Sequence, residues 1–206
     1  IVGFYLQPAV GGRIFPYAFW RAFAEIPNVV AIKMAPFNRY QTWDVVRAVI
    51  DAGRDDIALY TGNDDNIIAD LITPFSYRGP NRQVTRCIDG GLLGQWGVWT
   101  SRAVQVLEKI KNEGDSPCVD RGWLEYNVHL TDANAAIFDS ANGFSGCIPG
   151  IMEVLRRQRL VPSIRCLNPA ETLSRGQAEE IDRVISAYPN LHDDRFVAEN
   201  IDAWLA

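Results

Sequence analysis

The chain has 206 residues and 48% of them are hydrophobic, so it can bury a substantial core in one large domain or two small ones. A formal charge of -5 and a pI near 5.1 exclude the clustered excess of Lys and Arg that nucleic-acid binding requires. There is neither a run of about eighteen apolar residues nor a signal-peptide pattern, so we expect a cytoplasmic protein that does not contact a membrane.

Strand-like apolar runs alternate with helical patterns over the first half of the chain. The strand-like runs cover residues 1–6, 29–33, 57–60 and about 83–88. The helical patterns cover about 16–26, 41–52, a segment that starts near 64–65, and about 95–111. Short turns between such elements are typical of parallel strands joined by right-handed crossovers. We therefore predict four successive βα units in a barrel or a doubly wound sheet.

The strand patterns stop after a helix-breaking segment, residues 112–117. Beyond it the sequence predicts only helices, at about 121–140, 148–159, 170–187 and 194–205. We therefore predict two parts, a βα part over 1–113 and a helical region over 114–206. Because the chain opens directly on a strand at Ile1, we also expect it to be the later part of a longer protein.

Lys33 closes an apolar run and is one of only three lysines. The other two, Lys109 and Lys111, end a helix in a solvated setting. Burial penalises the charged form of a lysine and leaves a free amine, which can attack a carbonyl group and form an iminium ion. Lys33 is therefore a candidate nucleophile, and the alternative is a strand-end lysine that reaches water or pairs with a carboxylate.

Tyr5 lies at the end of the preceding strand run, one βα unit before Lys33. In barrel enzymes the reacting side chains come from the carboxyl ends of the strands and from the loops that follow them. We therefore expect Tyr5 and Lys33 to meet at one mouth, beside the loop that contains Gly62. A phenol there can transfer a proton during carbon–carbon bond cleavage, and the alternative is a buried core tyrosine.

The chain resembles the dihydrodipicolinate synthase and N-acetylneuraminate lyase family in three motifs, whose order and spacing along the chain match that family. The motifs are Tyr5-x-x-Pro8, Ile32-Lys33, and Thr61-Gly62-Asn63-Asp64. The resemblance covers about residues 1–110 by motif and the tail by layout only. It implies an α/β fold, a (β/α)8 TIM barrel of which this chain holds the last four βα units, followed by an all-helical C-terminal region. The first four units, which carry the loop for the substrate carboxylate, are absent from the chain.

The resemblance also implies an activity, that of a class I, Schiff-base-forming aldolase or lyase. Lys33 would form the Schiff base with a pyruvate-type 2-oxo acid, and Tyr5 would relay the proton. Neither a metal nor another cofactor is implied, and the partners expected are this small-molecule substrate and further copies of the chain, in a dimer or tetramer.

Two loops would contact the substrate by the same resemblance. Gly62, Asp64 and Asp65 match the loop at the distal end of a sugar-acid substrate, although the acids could instead stabilise a helix N-terminus. The run 89–94 matches a glycine-rich turn beside the pyruvyl carboxylate, which assigns Gly91 and Leu92 to substrate binding.

Other assignments stay open. Where the synthase branch carries an entrance arginine, four residues intervene before Arg13, which favours a lyase or aldolase of sugar acids. The alternatives are a dihydrodipicolinate synthase-type condensation of pyruvate with an amino-aldehyde, and a non-catalytic ligand-binding relative. A nucleotide-binding doubly wound domain fits badly, because Gly11 and Gly12 follow Pro8 and not the strand itself.

The remaining conspicuous residues are expected to be structural. We expect core or interface packing for Trp96, Trp99 and Trp123, structural roles for His129 and His192, and buried free thiols for Cys87, Cys118, Cys147 and Cys166.

Overall fold

A computed structural model describes residues 1–78, 83–92, 94–114 and 118–206. The chain forms two compact units, Ile1–Leu93 and Gly94–Ala206. The division therefore comes before the boundary predicted at 113/114. The fourth helix, which the sequence assigns to the βα part, belongs to the second unit.

Among its described residues the first unit contains the strands and three α-helices. In chain order these are β1 (Val2–Leu6), α1 (Tyr17–Ala24), β2 (Ala31–Ala35), α2 (Arg39–Asp51), β3 (Ala58–Thr61), α3 (Ile67–Ile72), β4 (Phe75–Arg78), β5 (Gln83–Arg86) and β6 (Gly90–Gly91). Four of the strands form one parallel sheet in the order β1-β2-β3-β6. The predicted α/β class with parallel strands is thus confirmed, and the sheet is open among the described residues.

The fourth parallel strand is not the predicted one. Residues 83–86 instead pair antiparallel with β4 in a separate two-stranded sheet. Trp43 of α2 stacks on Phe75 at 6.1 Å and meets Tyr77 edge-on at 5.7 Å, so this small sheet packs against α2. The parallel position beside β3 is taken by Gly90–Gly91, which the sequence analysis assigned to a turn.

The first two helices bury apolar faces and begin at residues suited to that position. Pro16 precedes the first turn of α1, and the side chain of Asn38 accepts hydrogen bonds from the backbone of Tyr40 and Gln41 at the start of α2. Trp20 of α1 and Val49 of α2 are almost completely buried. Burial of such a side chain stabilises the fold by about 1.5–3 kcal/mol.

The two faces of the parallel sheet differ in their environment. Side chains alternate between faces along each strand, and residues paired in register share a face. One face is buried and carries Gly3, Tyr5, Ile32, Met34, Leu59 and Thr61. The other face carries Val2 and Phe4, which are 64% and 50% exposed, together with the half-buried Lys33 and Tyr60.

The described residues of the second unit form helices and connecting loops, with no strand among them. Its helices are α4 (Thr100–Glu113), α5 (Arg121–Phe138), α6 (Cys147–Arg157), α7 (Gln177–Ala187) and α8 (Asp194–Trp204). The helices predicted after residue 119 are confirmed, although α7 begins at Gln177 and not near 170. In neither unit do the described residues include a helix with the length and apolar character needed to cross a bilayer.

A buried polar cluster joins the helices of the second unit. Asp139 accepts hydrogen bonds from Asn142, Ser145, Ser174 and the backbone of Gly146. The amide of Gln177 donates to the carbonyl oxygens of Ile137 and Gly146. Because these buried groups have partners, the cluster fixes the connections between α5, α6 and α7.

Candidate functional site

Lys33 lies in the middle of β2 and not at its end, because the strand continues to Ala35. Its register partners are Phe4 on β1 and Tyr60 on β3, so an aromatic residue flanks it on each side. The Nζ atom lies 4.7 Å from the centre of the Phe4 ring, a cation–π distance. Among the described residues no carboxylate pairs with Lys33, so the predicted alternative of an ion-paired lysine has no support.

Gly62 brings the next loop against Lys33. Its backbone nitrogen donates to the carbonyl oxygen of Met34 at 2.7 Å, which extends the β2–β3 ladder by one residue. A β-carbon on Gly62 would lie 2.8 Å from Cε of Lys33 and 3.3 Å from the carbonyl oxygen of Leu92. The absent side chain therefore leaves the space through which the lysine passes toward the carboxyl end of the sheet.

The glycine-rich run occupies the neighbouring strand position. Leu92 donates its backbone N–H to Thr61 at 2.9 Å, and its side chain is 47% exposed. A β-carbon on Gly91 would point to the buried face, 3.0 Å from Ile67. The structure therefore brings Lys33, Gly62 and Leu92 together, whereas Gly91 contributes only backbone; Leu93, in the same run, lies outside the described residues.

Asp64 and Asp65 occupy the loop between β3 and α3. Helix α3 begins at Ile67, so both acids precede its first turn, later than the predicted helix start. Asp64 is buried, while Asp65 is exposed. Desolvation by the surrounding loop nevertheless raises the pKa of the Asp65 carboxyl, against the opposing charge of Arg39. The loop thus offers polar side chains beyond the end of the sheet.

Tyr5 does not meet Lys33. It is fully buried on the opposite face, with its ring 4.9 Å from that of Trp20. Its hydroxyl donates to the carbonyl oxygen of Phe15 at 3.3 Å and accepts from the Phe15 N–H at 3.2 Å. Burial raises the pKa of this phenol. The expectation that both side chains share one mouth was wrong, because neighbouring strand positions point to opposite faces.

A buried polar network that sequence reasoning missed holds the Gly62 loop in place. The carboxylate of Asp70 accepts from Thr61 at 2.6 Å and from Asn63 at 2.8 Å, and it pairs with Arg39. Asn63 also donates to Thr42 at 3.0 Å. The sequence signal that could have indicated this network is an acid, Asp70, in the otherwise apolar segment Ile67–Ile72; the structure shows this acid to be fully buried.

The other conspicuous residues stay outside this site. The three tryptophans expected in the core are buried, namely Trp96, Trp99 and Trp123. The four cysteines form no disulfide, as expected, but Cys87 and Cys118 are exposed and not buried. Over the described ranges, no group of three His, Cys, Asp or Glu side chains is placed to hold a metal ion.

Comparison with known proteins adds no assignment. No protein-family model matches the chain, and no curated protein matches it. Function must therefore be inferred from the side chains of the open sheet face and from their geometry.

Proposed function

We propose that this chain belongs to a Schiff-base-forming aldolase or lyase that acts on 2-oxo acids, with Lys33 as the nucleophile. One observation carries the proposal: the strand lysine is half buried between two aromatic residues, and no described carboxylate pairs with it. The other two lysines, Lys109 and Lys111, are exposed, and Lys109 lies 3.8 Å from Glu113. Of the three lysines, Lys33 is thus the one whose surroundings suit nucleophilic attack and not simple exposure to solvent.

The proposed chemistry begins with the neutral form of the Lys33 amine, which is the nucleophilic form. The nitrogen of Lys33 adds to the C2 carbonyl of a 2-oxo acid, and loss of water gives an iminium ion. The iminium withdraws electrons from C3, which allows the C3–C4 bond of a 4-hydroxy-2-oxo acid to break or form. The Phe4 ring, 4.7 Å from the nitrogen, is placed to stabilise the positive charge of the iminium.

The finer assignments rest on the resemblance to the dihydrodipicolinate synthase and N-acetylneuraminate lyase family. In that arrangement the four parallel strands are half of a (β/α)8 barrel, and the open face that carries Lys33 is its interior. Asp64 and Asp65 would hydrogen-bond the hydroxyl groups of a sugar acid, and the protein would assemble from several copies. A dihydrodipicolinate synthase-type condensation is the alternative reaction.

A non-catalytic ligand-binding relative is the second candidate function. The observation that favours it is the hydroxyl of Tyr5, which is held by the Phe15 backbone on the face away from Lys33. If Tyr5 were the required proton relay, this arrangement would bind a 2-oxo acid without turning it over.

The test is reductive trapping on the natural full-length protein. Pyruvate and borohydride should add a stable mass at Lys33, located by peptide mass spectrometry, because the hydride reduces the iminium to a secondary amine. Lys33→Ala should lose the label, and Lys109→Ala is the matched control that should keep it. Turnover of a sugar acid by the untreated protein, measured in parallel, separates the lyase from a binding relative. Equal labelling of Lys33→Ala would refute the proposal.

A further inference from the structure

Tyr60 is the phenol that shares a face with Lys33. The two residues are register partners on β2 and β3, so their side chains leave the sheet in the same direction from strands about 4.8 Å apart. Tyr5 instead pairs with Met34 and points to the buried face. In the sequence, Tyr60 is simply the last residue of an apolar run, and no motif that contains it indicates a chemical role.

The surroundings of Tyr60 leave its hydroxyl available. A β-carbon on Gly90 would lie 3.2 Å from Cε2 of the ring, so the ring rests against a strand that has no side chain there. Across the described part of the chain, no residue hydrogen-bonds the Tyr60 hydroxyl, in contrast to that of Tyr5. Burial also raises the pKa of the Tyr60 phenol, which keeps it protonated at neutral pH.

We propose that Tyr60, and not Tyr5, is the proton donor for iminium formation at Lys33. The inference rests on the proposed function. After the amine adds to the carbonyl carbon, the resulting carbinolamine carries a hydroxyl group that must leave as water. The Tyr60 hydroxyl gives its proton to that oxygen, the C–O bond breaks, and the nitrogen lone pair forms the C=N bond. The phenolate that remains pairs with the iminium cation and regains its proton from solvent.

The test compares two tyrosine variants in the natural full-length protein. With pyruvate as the probe, the rate of iminium formation is measured by stopping aliquots with borohydride and quantifying the label at Lys33. Tyr60→Phe should slow this step by about 10²-fold, the scale expected for loss of a positioned acid, whereas Tyr5→Phe should leave the rate near wild type. Small buffer acids should restore the Tyr60→Phe rate in proportion to their concentration and leave the wild type unaffected.

The possible outcomes separate the two proposals. A wild-type rate in Tyr60→Phe, or slow formation that no buffer acid restores, overturns the role of Tyr60 and leaves Lys33 as the nucleophile. Absence of label in the wild type overturns both. Circular dichroism checks that the Tyr60→Phe variant is folded. A second measurement tests the role of Tyr60 without relying on that variant. The rate of iminium formation should fall at alkaline pH as the Tyr60 phenol loses its proton. Incorporation of 3-fluorotyrosine, whose hydroxyl is more acidic, should move this fall to lower pH. An unchanged pH dependence contradicts the proposal.

Discussion

At the scale of single residues, Gly62 decides where the Lys33 side chain can lie. The site of its missing β-carbon is 2.8 Å from Cε of Lys33 and 3.1 Å from the Ala35 β-carbon. The end of the Lys33 side chain is flexible and can move away from an added β-carbon. The backbone carbonyl oxygen of Leu92, 3.3 Å from the same position, cannot move as easily. A methyl group here would therefore displace the nucleophile before it displaced the loop.

Gly62→Ala should accordingly slow pyruvate trapping at Lys33 by about tenfold or more, with destabilisation of about 1–3 kcal/mol from overpacking. Trapping rates and urea unfolding measure the two effects separately. Gly97→Ala is a suitable control, since no atom beyond its chain neighbours lies within 4 Å of its β-carbon position, and it should change neither. If Gly62→Ala trapped pyruvate at the wild-type rate, the close approach to Lys33 would have no functional meaning.

At the scale of elements, charged side chains link helices that pack in the second unit. Asp132 of α5 accepts two hydrogen bonds from Arg183 of α7, at 2.8 and 2.9 Å, and one from Tyr188 at 2.6 Å. Arg183, chiefly, and Tyr188 hold the pKa of the Asp132 carboxyl below its usual value of 3.8. The α5–α7 contact is therefore strongest when this carboxyl is ionised.

The sign of the pH effect follows from that shift. A carboxyl whose pKa is lower in the folded state stabilises the fold above its unfolded pKa, and the contribution is lost as the pH falls through the folded value. The free energy of unfolding should exceed that of Asp132→Asn by a constant amount from about pH 7 to 5, and the difference should shrink between about pH 4 and 2. Denaturant unfolding of both proteins measures this; a difference that persists at pH 2 would contradict it.

At the scale of the whole molecule, the notable feature is a parallel sheet with one open face. Parallel sheets are normally covered on both faces, whereas here Val2 and Phe4 remain at least half exposed. Within the described residues β1 and β6 each pair on one side only, so both edges of the sheet are also unpaired. The proposed barrel would cover the face and pair the edges with four further βα units.

Residues 1–206 purified alone should therefore self-associate or bind a hydrophobic dye, and should not turn over a sugar acid. Phe4→Gln should reduce the dye binding because it removes apolar area from the open face, while Tyr40→Gln, at a helix position 86% exposed, should not. Sedimentation, dye fluorescence and an activity assay measure the three effects. A monomeric, dye-free and fully active chain would refute the proposed barrel completion.

The amino-acid sequence by itself determined the alternating strands and helices, the helical second half and the presence of Lys33, a rare lysine, within an apolar strand. Those features follow from local hydrophobic periodicity and from the cost of a charge in an apolar run, both of which can be read within a few residues. The place of Gly62 beside the lysine was also predictable, since the loop after β3 directly follows the strand next to β2.

Only the tertiary structure decided the rest. Gly90–Gly91 forms a strand because Asp89 and Leu92 bond to Leu59 and Thr61 on β3, and two glycines carry no hydrophobic pattern that could indicate it. The apolar run Ile1–Leu6 likewise does not say which of its side chains faces the helices. A shift of the pairing register by one residue would exchange the two faces of the strand. Only the register between β1 and β2 therefore places Phe4 beside Lys33 and turns Tyr5 to the opposite face.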